Sequence, residues 1–147
     1  MTPRTIDWQT VRAKLRMIRE RLNTLSSLGA VEPSWWDGRE VEALAVERIL
    51  ILVVDLAVDI NNHVCAVDLG RVADDYQDTF PLVAKTGMIT EELAKSLAPS
   101  TGTRNILVHQ YIEVDHDRVA LAARLAVEQY GEYVRQVAAW VQTRIHE

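Results

Sequence analysis

The chain contains 147 residues, of which 48% are hydrophobic and 25% are charged, and it carries a formal net charge of −5. This size and composition are typical of one soluble domain, predicted here over residues 1–147, and they exclude disordered and collagen-like chains. The only cysteine, Cys65, excludes a scaffold held by internal disulfide bonds. The acidic balance also argues against a protein coated with basic charge for nucleic acid.

Two stretches of the sequence bear on localisation. Residues 1–7 lack a basic segment followed by an apolar one, so we expect no signal peptide. The longest apolar run, residues 49–54, is far too short to cross a bilayer, so we expect no membrane association. Since neither signal is present and disulfide bonds are excluded, a reducing cytoplasm is the expected location.

The first predicted element is an amphipathic helix over about residues 6–28, with Gly29 as its stop. Its apolar residues recur every three or four positions on one face: Trp8, Val11, Leu15, Ile18, Leu22, Leu25 and Leu28. Residues 1–21 carry six basic and two acidic side chains, a local charge of +4, whereas the rest of the chain carries −9. This basic face is either simply solvated or forms a rim that attracts an anionic partner.

A loop over residues 30–38 is predicted from its proline, serine and glycine. It contains Trp35 and Trp36, and we expect one of them to cover the core, with contact to a partner as the alternative. Asp37 and Glu40 have the spacing of a capping box, so the next helix is predicted to begin at about residue 38.

The second predicted helix runs from about residue 38 to residue 67 and is apolar on nearly all sides at its centre. Such a helix lies in the middle of a bundle or is shared with a partner subunit. Asp55, Asp59 and Asn62 interrupt this pattern at helical spacing and therefore share one face, beside His63. Because buried polar groups need partners, this stripe is either a hydrogen-bond network or one wall of a functional cleft.

A polar loop over residues 68–78 is predicted after the second helix, because the segment is rich in aspartate. Thr79 then has the chemistry of an N-cap, with Pro81 in the first turn of a short helix. Gly87 is the expected end of that helix.

Two further helices are predicted in the second half of the chain. Thr90 caps the first of them, which Pro99 interrupts and which then resumes as far as about His109. The last helix is predicted over about residues 117–145, with an apolar face that includes Leu125. The expected fold is an all-α, up-and-down bundle of four main helices plus a short helix.

The chemically informative segment spans residues 102–111 and surrounds an apolar triplet with polar side chains. Asn105 and His109 are four residues apart and share a helix face. Arg104 and His109 are five apart, so they diverge by about 140° on an ideal helix. They converge on one ligand if the helix ends near His109 or if a second copy of the chain completes the site. Tyr111 aligns with Arg104 if the helix extends that far.

These residue types suit RNA cleavage without a metal ion. In that reaction a 2′-hydroxyl attacks its own adjacent phosphate, which requires a proton acceptor, a proton donor and a cation for the developing charge. Histidine exchanges protons near neutral pH, and arginine binds phosphate oxygens bidentately. Asn105 would orient the histidine or bind the phosphate. The alternative is a purely structural role, in which the histidine has its hydrogen-bond partners within the fold and the arginine forms an ion pair at a helix end.

Residues 102–111 resemble the Arg-x4-His-x-Tyr signature of the HepT-like toxins, within the HEPN superfamily of helical ribonucleases. The match is residue by residue at seven positions: Gly102, Arg104, Asn105, Leu107, Val108, His109 and Tyr111. Residues 47–63 are similar to the family's long second helix, and residues 80–89 resemble its short helix and turn. The resemblance covers roughly residues 40–145 and departs from the family at Pro99, where the family helix is unbroken.

The resemblance implies a homodimer in which two Arg/His motifs face each other across a cleft. It further implies a toxin whose partner is a minimal nucleotidyltransferase antitoxin that transfers AMP to the motif tyrosine. By this resemblance Arg104 binds the phosphate of an RNA substrate, His109 is the acid/base group and Tyr111 is the modified residue. The supporting residues of the cleft would be Asp59, Asn62 and Asn105.

Two other functions remain open from the sequence. One is a non-catalytic helical module that dimerises and binds the nucleotidyltransferase, and the other is a protein whose Arg/His cleft binds a nucleotide. No metal-ligand or phosphate-loop spacing is present, so we expect neither a metal site nor a cofactor. The acidic net charge predicts modest RNA affinity with strong salt dependence.

Overall fold

The computed structural model describes residues 5–29, 33–109 and 115–145, and every regular element within them is helical. Three helices are long: α1 (Trp8–Leu28), α2 (Glu40–Asp68) and α6 (His116–Ile145). Three are short: α3 (Tyr76–Ala84), α4 (Glu91–Leu97) and α5 (Ser100–His109). A 3₁₀ turn, Pro33–Trp36, precedes α2. The prediction of an all-α fold is confirmed.

The helices form an up-and-down bundle. The start of α1 lies beside the end of α2, where the Asp7 N–H donates to His63 Nε2 at 2.8 Å, so these helices are antiparallel. Trp8 packs on Trp140 with ring centroids 5.6 Å apart, so α6 is antiparallel to α1 as well. Between α2 and α6 the chain returns through α3, α4 and α5. Pro99 separates α4 from α5, which confirms the predicted break and restart.

The core is formed by the apolar face of α1, the centre of α2 and one side of α6. The predicted stripe of α1 is buried from Val11 to Leu25, whereas Trp8 at its start is partly buried and Leu28 at its end is 37% exposed. Phe80 of α3 packs edge-on against Tyr130 and Tyr133 of α6, with ring centroids 6.4 and 6.3 Å away. Trp36 is 3% exposed, which confirms that one tryptophan of the loop covers the core. Among the described helices, none is long and apolar enough to span a membrane.

The predicted start of α3 is wrong. The helix begins at Tyr76, because Asp75 Oδ1 accepts the N–H of Asp78 at 2.9 Å and caps the helix earlier than expected. Thr79 is therefore not a cap but lies buried inside the helix, where its hydroxyl donates to the Tyr76 carbonyl at 2.7 Å. Four side chains in this segment have capping chemistry, namely Asp74, Asp75, Asp78 and Thr79. The sequence alone does not show which of them meets a free N–H.

Two other local predictions are also wrong. The capping box of Asp37 and Glu40 does not form, since α2 begins at Glu40 and its N-cap, Arg39, makes no side-chain capping bond. Leu125 does not lie on the buried face of α6, because it is 39% exposed. In both cases the periodic pattern identifies the helix correctly. The capping of its first turn and the burial of a residue at the border of its apolar face depend on the neighbouring elements.

Candidate active site

The residues of the predicted motif lie on α5, which is attached to the bundle mainly at its start. The Ser100 hydroxyl donates to the Leu97 carbonyl at 2.6 Å and lies 2.6 Å from Tyr130 Oη. Thr101 is the one fully buried residue of α5. The helix is therefore anchored at its first turn and presents the side chains that follow toward the surface.

Arg104 forms an ion pair with Asp55 of α2. Its Nε donates to Asp55 Oδ1 at 2.8 Å, and its Nη2 donates to Oδ2 at 3.4 Å. The Arg104 side chain is 18% exposed and the Asp55 side chain is 32% exposed. The carboxylate therefore fixes the guanidinium at the surface of the bundle without removing it from solvent.

Two further groups hold the guanidinium. Its central carbon lies 4.8 Å from the centre of the Tyr76 ring at the start of α3, which is a cation–π distance. Asn105 Oδ1 accepts a hydrogen bond from Arg104 Nη1 at 3.2 Å. We call this group of four residues the arginine cradle: Asp55, Tyr76, Arg104 and Asn105. Of the five N–H donors of arginine, two keep no partner among the described residues and are free for an anionic ligand.

A buried hydrogen-bond chain sets the position of Tyr76. Tyr133 Oη donates to Asn61 Oδ1 at 2.7 Å, and Asn61 Nδ2 donates to Thr79 Oγ1 at 3.2 Å. The Thr79 hydroxyl then donates to the Tyr76 carbonyl. Burial raises the pKa of Tyr133 well above its ordinary value, so its hydroxyl remains a donor. The core thus holds the turn of α3 that carries the ring beneath Arg104.

Asp59 and Asn62 lie on the same face of α2 as Asp55, but their surroundings differ. Lys14 of α1 donates to Asp59 Oδ2 at 3.3 Å, and the Asp59 side chain is 56% exposed. Asn62 Oδ1 is buried and has no hydrogen-bond partner in the described part of the chain. The stripe is therefore not a closed network, since its carboxylates pair with bases from other helices and its amide oxygen is unpaired.

His109 is the last described residue of α5 and is exposed. Within residues 5–29, 33–109 and 115–145 it forms no hydrogen bond, either to Arg104 or to Asn105. One copy of the chain therefore does not join the arginine and the histidine, in agreement with their divergence around the helix. Tyr111 lies outside the described residues.

An apolar groove of about 290 Å³ lies beside Arg104, between α2, α5 and α6. Its walls include Leu50, Val54, Thr103, Ala122 and Leu125. The neighbouring surface continues this character, because Ile106 and Leu121 are also exposed. Contiguous exposed apolar side chains beside polar groups mark sites that bind a partner or a ligand.

Sequence reasoning placed Asp55 in the polar stripe without giving it a role, and it did not identify Lys14 or Tyr76. The stripe itself was the available signal for Asp55, which precedes Asp59 by one helical turn. No local signal pairs Lys14 with Asp59 or Tyr76 with Arg104, because each contact joins two helices that are distant in sequence.

In the described part of the chain, no three His, Cys, Asp or Glu side chains are arranged to hold a metal ion. The thiol of Cys65 is buried in the core, where desolvation raises its pKa to about 11. Because the thiolate is the nucleophilic and metal-binding form, Cys65 is a poor nucleophile and a poor ligand.

Comparisons with known proteins give these residues a family context. The sequence profile of the HepT-like family, described as ribonuclease HepT-like, matches residues 15–137. The chain is 32% identical over 134 residues to the tRNA nuclease HepT of Aphanizomenon flos-aquae, covering 90% of each protein. It is 28% identical over 85 residues to the mRNA nuclease HepT of Shewanella oneidensis, covering 58% of this chain and 64% of that protein.

A solved structure shares the fold. The tri-AMPylated HEPN toxin of Shewanella oneidensis, in complex with MNT antitoxin, superposes with a TM-score of 0.78 at 22% identity, covering 88% of this chain and 97% of that chain. The family profile includes α2 to α5, and hence every residue of the arginine cradle. The resemblance found in the sequence is confirmed, and the chain belongs to the HepT-like ribonuclease family.

Proposed function

We propose that this protein is the toxin of a toxin–antitoxin pair, a cytoplasmic RNA endonuclease that cleaves without a metal ion and is neutralised by a nucleotidyltransferase. The observation that carries this proposal is the arginine cradle, in which a fixed guanidinium keeps two free N–H donors. Such a group suits a phosphate oxygen in geometry and charge. The two relatives named as a tRNA nuclease and an mRNA nuclease support RNA as the substrate.

In the proposed reaction a ribose 2′-oxygen attacks the adjacent phosphorus. The new O–P bond forms as the bond from phosphorus to the 5′-oxygen breaks, leaving a cyclic 2′,3′-phosphate and a 5′-hydroxyl. His109 takes the proton of the 2′-hydroxyl or donates a proton to the leaving oxygen. Arg104 stabilises the negative charge that develops on the phosphate oxygens.

We propose that two copies of the chain complete one cleft. No hydrogen bond joins Arg104 and His109 within one copy, because the partners of Arg104 are Asp55 and Asn105. We therefore propose that a single chain supplies only part of the machinery. A two-fold arrangement in which α5 faces α5 brings the histidine of one copy toward the arginine of the other. The exposed side chains of Ile106, Leu121 and Leu125 provide an apolar surface for such a contact.

Tyr111 is the proposed control point. It follows His109 by two residues, so AMP on its hydroxyl would add a phosphate and a nucleoside at the mouth of the cleft. That group would exclude RNA by bulk and by charge repulsion. The AMPylated state of the Shewanella oneidensis toxin supports this mode of control. In the proposal Asp59 and Asn62 form one wall of the cleft, where the Asp59 carboxylate is exposed and the unpaired Asn62 Oδ1 lies buried behind it.

The direct test is an RNA cleavage assay in EDTA on wild-type and His109→Ala protein, with the mass of each protein measured. Cleavage by wild type alone supports a metal-free ribonuclease that uses His109. No cleavage by wild type of unmodified mass would favour a non-catalytic module that binds the nucleotidyltransferase, or, if AMP binds saturably, a nucleotide-binding protein. No cleavage with added mass on Tyr111 would identify the neutralised toxin.

A further inference from the structure

Three arginines form a row along one flank of α1. Arg12, Arg16 and Arg19 are all exposed and are separated by four and three residues. At a rise of 1.5 Å per residue they span about 10 Å of the helix, on the side that faces α6. The opposite flank of α1 carries Lys14, which pairs with Asp59 near the arginine cradle. The row is therefore a separate basic surface on another side of the bundle.

These arginines are not neutralised within the described part of the chain. Arg12, Arg16 and Arg19 form no ion pair there, whereas Arg104 and Arg144 are each paired with an aspartate. Glu20 follows Arg16 by one helical turn, but within the described residues no ion pair joins a carboxylate to any of the three arginines. The row thus keeps its positive potential in an otherwise acidic protein.

The row borders a groove along the seam between α1 and α6. One depression is lined by the three arginines together with Val141 and Gln142 of α6. A second depression follows along the same seam, shares Arg19 and is lined by Asn23 and Gly131, among others. The arginines along one side of the groove can bind phosphate, and the carboxamides of Asn23 and Gln142 can form hydrogen bonds with ribose or with base edges.

Gly131 lies in the wall of the second depression of this groove. It lies inside α6, where glycine is a poorer helix former than alanine. No tight packing requires it, because a β-carbon built on Gly131 would meet no atom within 4 Å. Its backbone also has no positive φ that would demand glycine. The missing side chain instead leaves free space in the wall of the groove.

We propose that the α1–α6 groove binds the sugar–phosphate backbone of the RNA substrate at a point away from the cleaved bond. This inference rests on the proposed ribonuclease function and extends it. RNA fits better than an acidic protein, because a regular row of arginines beside two neighbouring open depressions matches a repeating phosphate backbone. Since α1 has the cleft on one flank and the groove on the other, a folded RNA that crosses α1 contacts both, whereas a short oligonucleotide reaches only the cleft.

The test is a variant with Arg12→Gln, Arg16→Gln and Arg19→Gln. Its matched control carries Arg71→Gln, Lys95→Gln and Arg124→Gln, which removes the same charge from exposed positions elsewhere. Binding of a folded RNA is measured by fluorescence anisotropy over a salt series, and cleavage of a short oligonucleotide is measured in parallel. The groove variant is expected to bind the folded RNA at least about tenfold more weakly, with a salt slope lower by roughly 2, since each lost phosphate contact contributes about 0.7. The control is expected to retain the wild-type slope.

A second pair of variants tests the groove without changing charge. Gly131→Leu is expected to weaken binding of the folded RNA, because its side chain fills the groove, whereas Gly131→Ala is expected to bind as wild type does. Equal binding by the arginine variant and its control would overturn the inference. So would loss of binding to the nucleotidyltransferase with RNA binding unchanged, since that marks a protein interface. Failure of every protein to cleave the oligonucleotide would count against the proposed function, while the anisotropy data would still decide the groove.

Discussion

The two faces of α2 carry polar side chains with opposite properties. On the inner face Asn61 is fully buried and bonded on both sides, accepting from Tyr133 and donating to Thr79. On the outer face Asn62, its neighbour in sequence, keeps a side-chain oxygen without a partner among the described residues. Asp55, also on the outer face, pairs with Arg104, which in turn keeps free donors.

The difference shows how one helix serves both stability and binding. A polar network inside the bundle stabilises it only when all its groups are satisfied, because an unpaired buried group costs about 1–3 kcal/mol. At a binding site the reverse holds, since donors and acceptors that are already satisfied cannot recognise a ligand.

Arg104→Lys tests the outer face most severely. Lysine keeps the charge but cannot form the fork of hydrogen bonds to Asp55 and to phosphate, so we expect the cleavage rate to fall by about a hundredfold. Stability should change little, because the ion pair is partly exposed. Cleavage kinetics and thermal unfolding of the same protein measure both effects, with Arg124→Lys as the control. A rate within threefold of wild type would show that the fork has no role in the reaction.

Asn61→Ala tests the inner face. It removes the shorter of the two hydrogen bonds of the Tyr133 hydroxyl, which keeps only the Ala57 carbonyl at 3.2 Å, and it removes the donor to Thr79. We therefore expect a loss of about 1–3 kcal/mol in the free energy of unfolding. Urea titration followed by circular dichroism measures the loss. The cleavage rate of the folded fraction should stay near that of wild type. A variant of unchanged stability would contradict the role assigned to this network.

Asn62→Ala is the matched change one residue further along the helix. We expect less than about 1 kcal/mol of destabilisation, because the Asn62 oxygen has no partner to lose. If the side chain lines the cleft as proposed, loss of a hydrogen bond to RNA lowers the rate by about fivefold. Asn61→Ala should therefore lose stability and keep its cleavage rate, whereas Asn62→Ala should keep its stability and lose cleavage rate. A loss of stability in both variants would contradict the proposed difference between the two faces of α2.

Tyr76→Leu tests the link between the two faces. Loss of the ring beneath the Arg104 guanidinium removes a cation–π contact worth roughly 0.5–1 kcal/mol, so we expect a two- to fivefold lower cleavage rate. Tyr76→Phe keeps the ring and should restore the wild-type rate. Equal rates for the leucine and phenylalanine variants would exclude a role for the ring in positioning Arg104.

The smallest effect concerns Cys65, on the same inner face as Asn61. Burial raises the pKa of this thiol from 9.0 to about 11, so the folded state disfavours the thiolate. Its contribution to stability is complete below pH 9.0 and is lost as the pH rises toward 11. At pH 8 we expect iodoacetamide to label the unfolded protein readily and the folded protein very slowly. Rapid labelling of the folded protein would show that the inner face of α2 around Cys65 becomes accessible to solvent without global unfolding.

Several features of the fold were predictable from the residues alone. The stripe of α1 from Val11 to Leu25, the Thr90 cap of α4 and the break at Pro99 all depend on residues within one element, and the structure confirms them. The motif on α5 was predictable for the same reason, because its spacing and its chemistry lie in ten consecutive residues. The choice of Thr79 as a cap failed because Asp75, a competing cap nearby, reaches a free N–H first.

Helical periodicity and motif spacing are enough to predict an all-α bundle, the helix that carries the motif and the face shared by Asp55, Asp59 and Asn62. The pairing of Arg104 with Asp55 and its stacking on Tyr76 become visible only in the folded chain. Helical periodicity sets the angle of a side chain about the axis of its own helix. It does not specify which neighbouring helix stands at that angle, because this depends on the packing of the whole core.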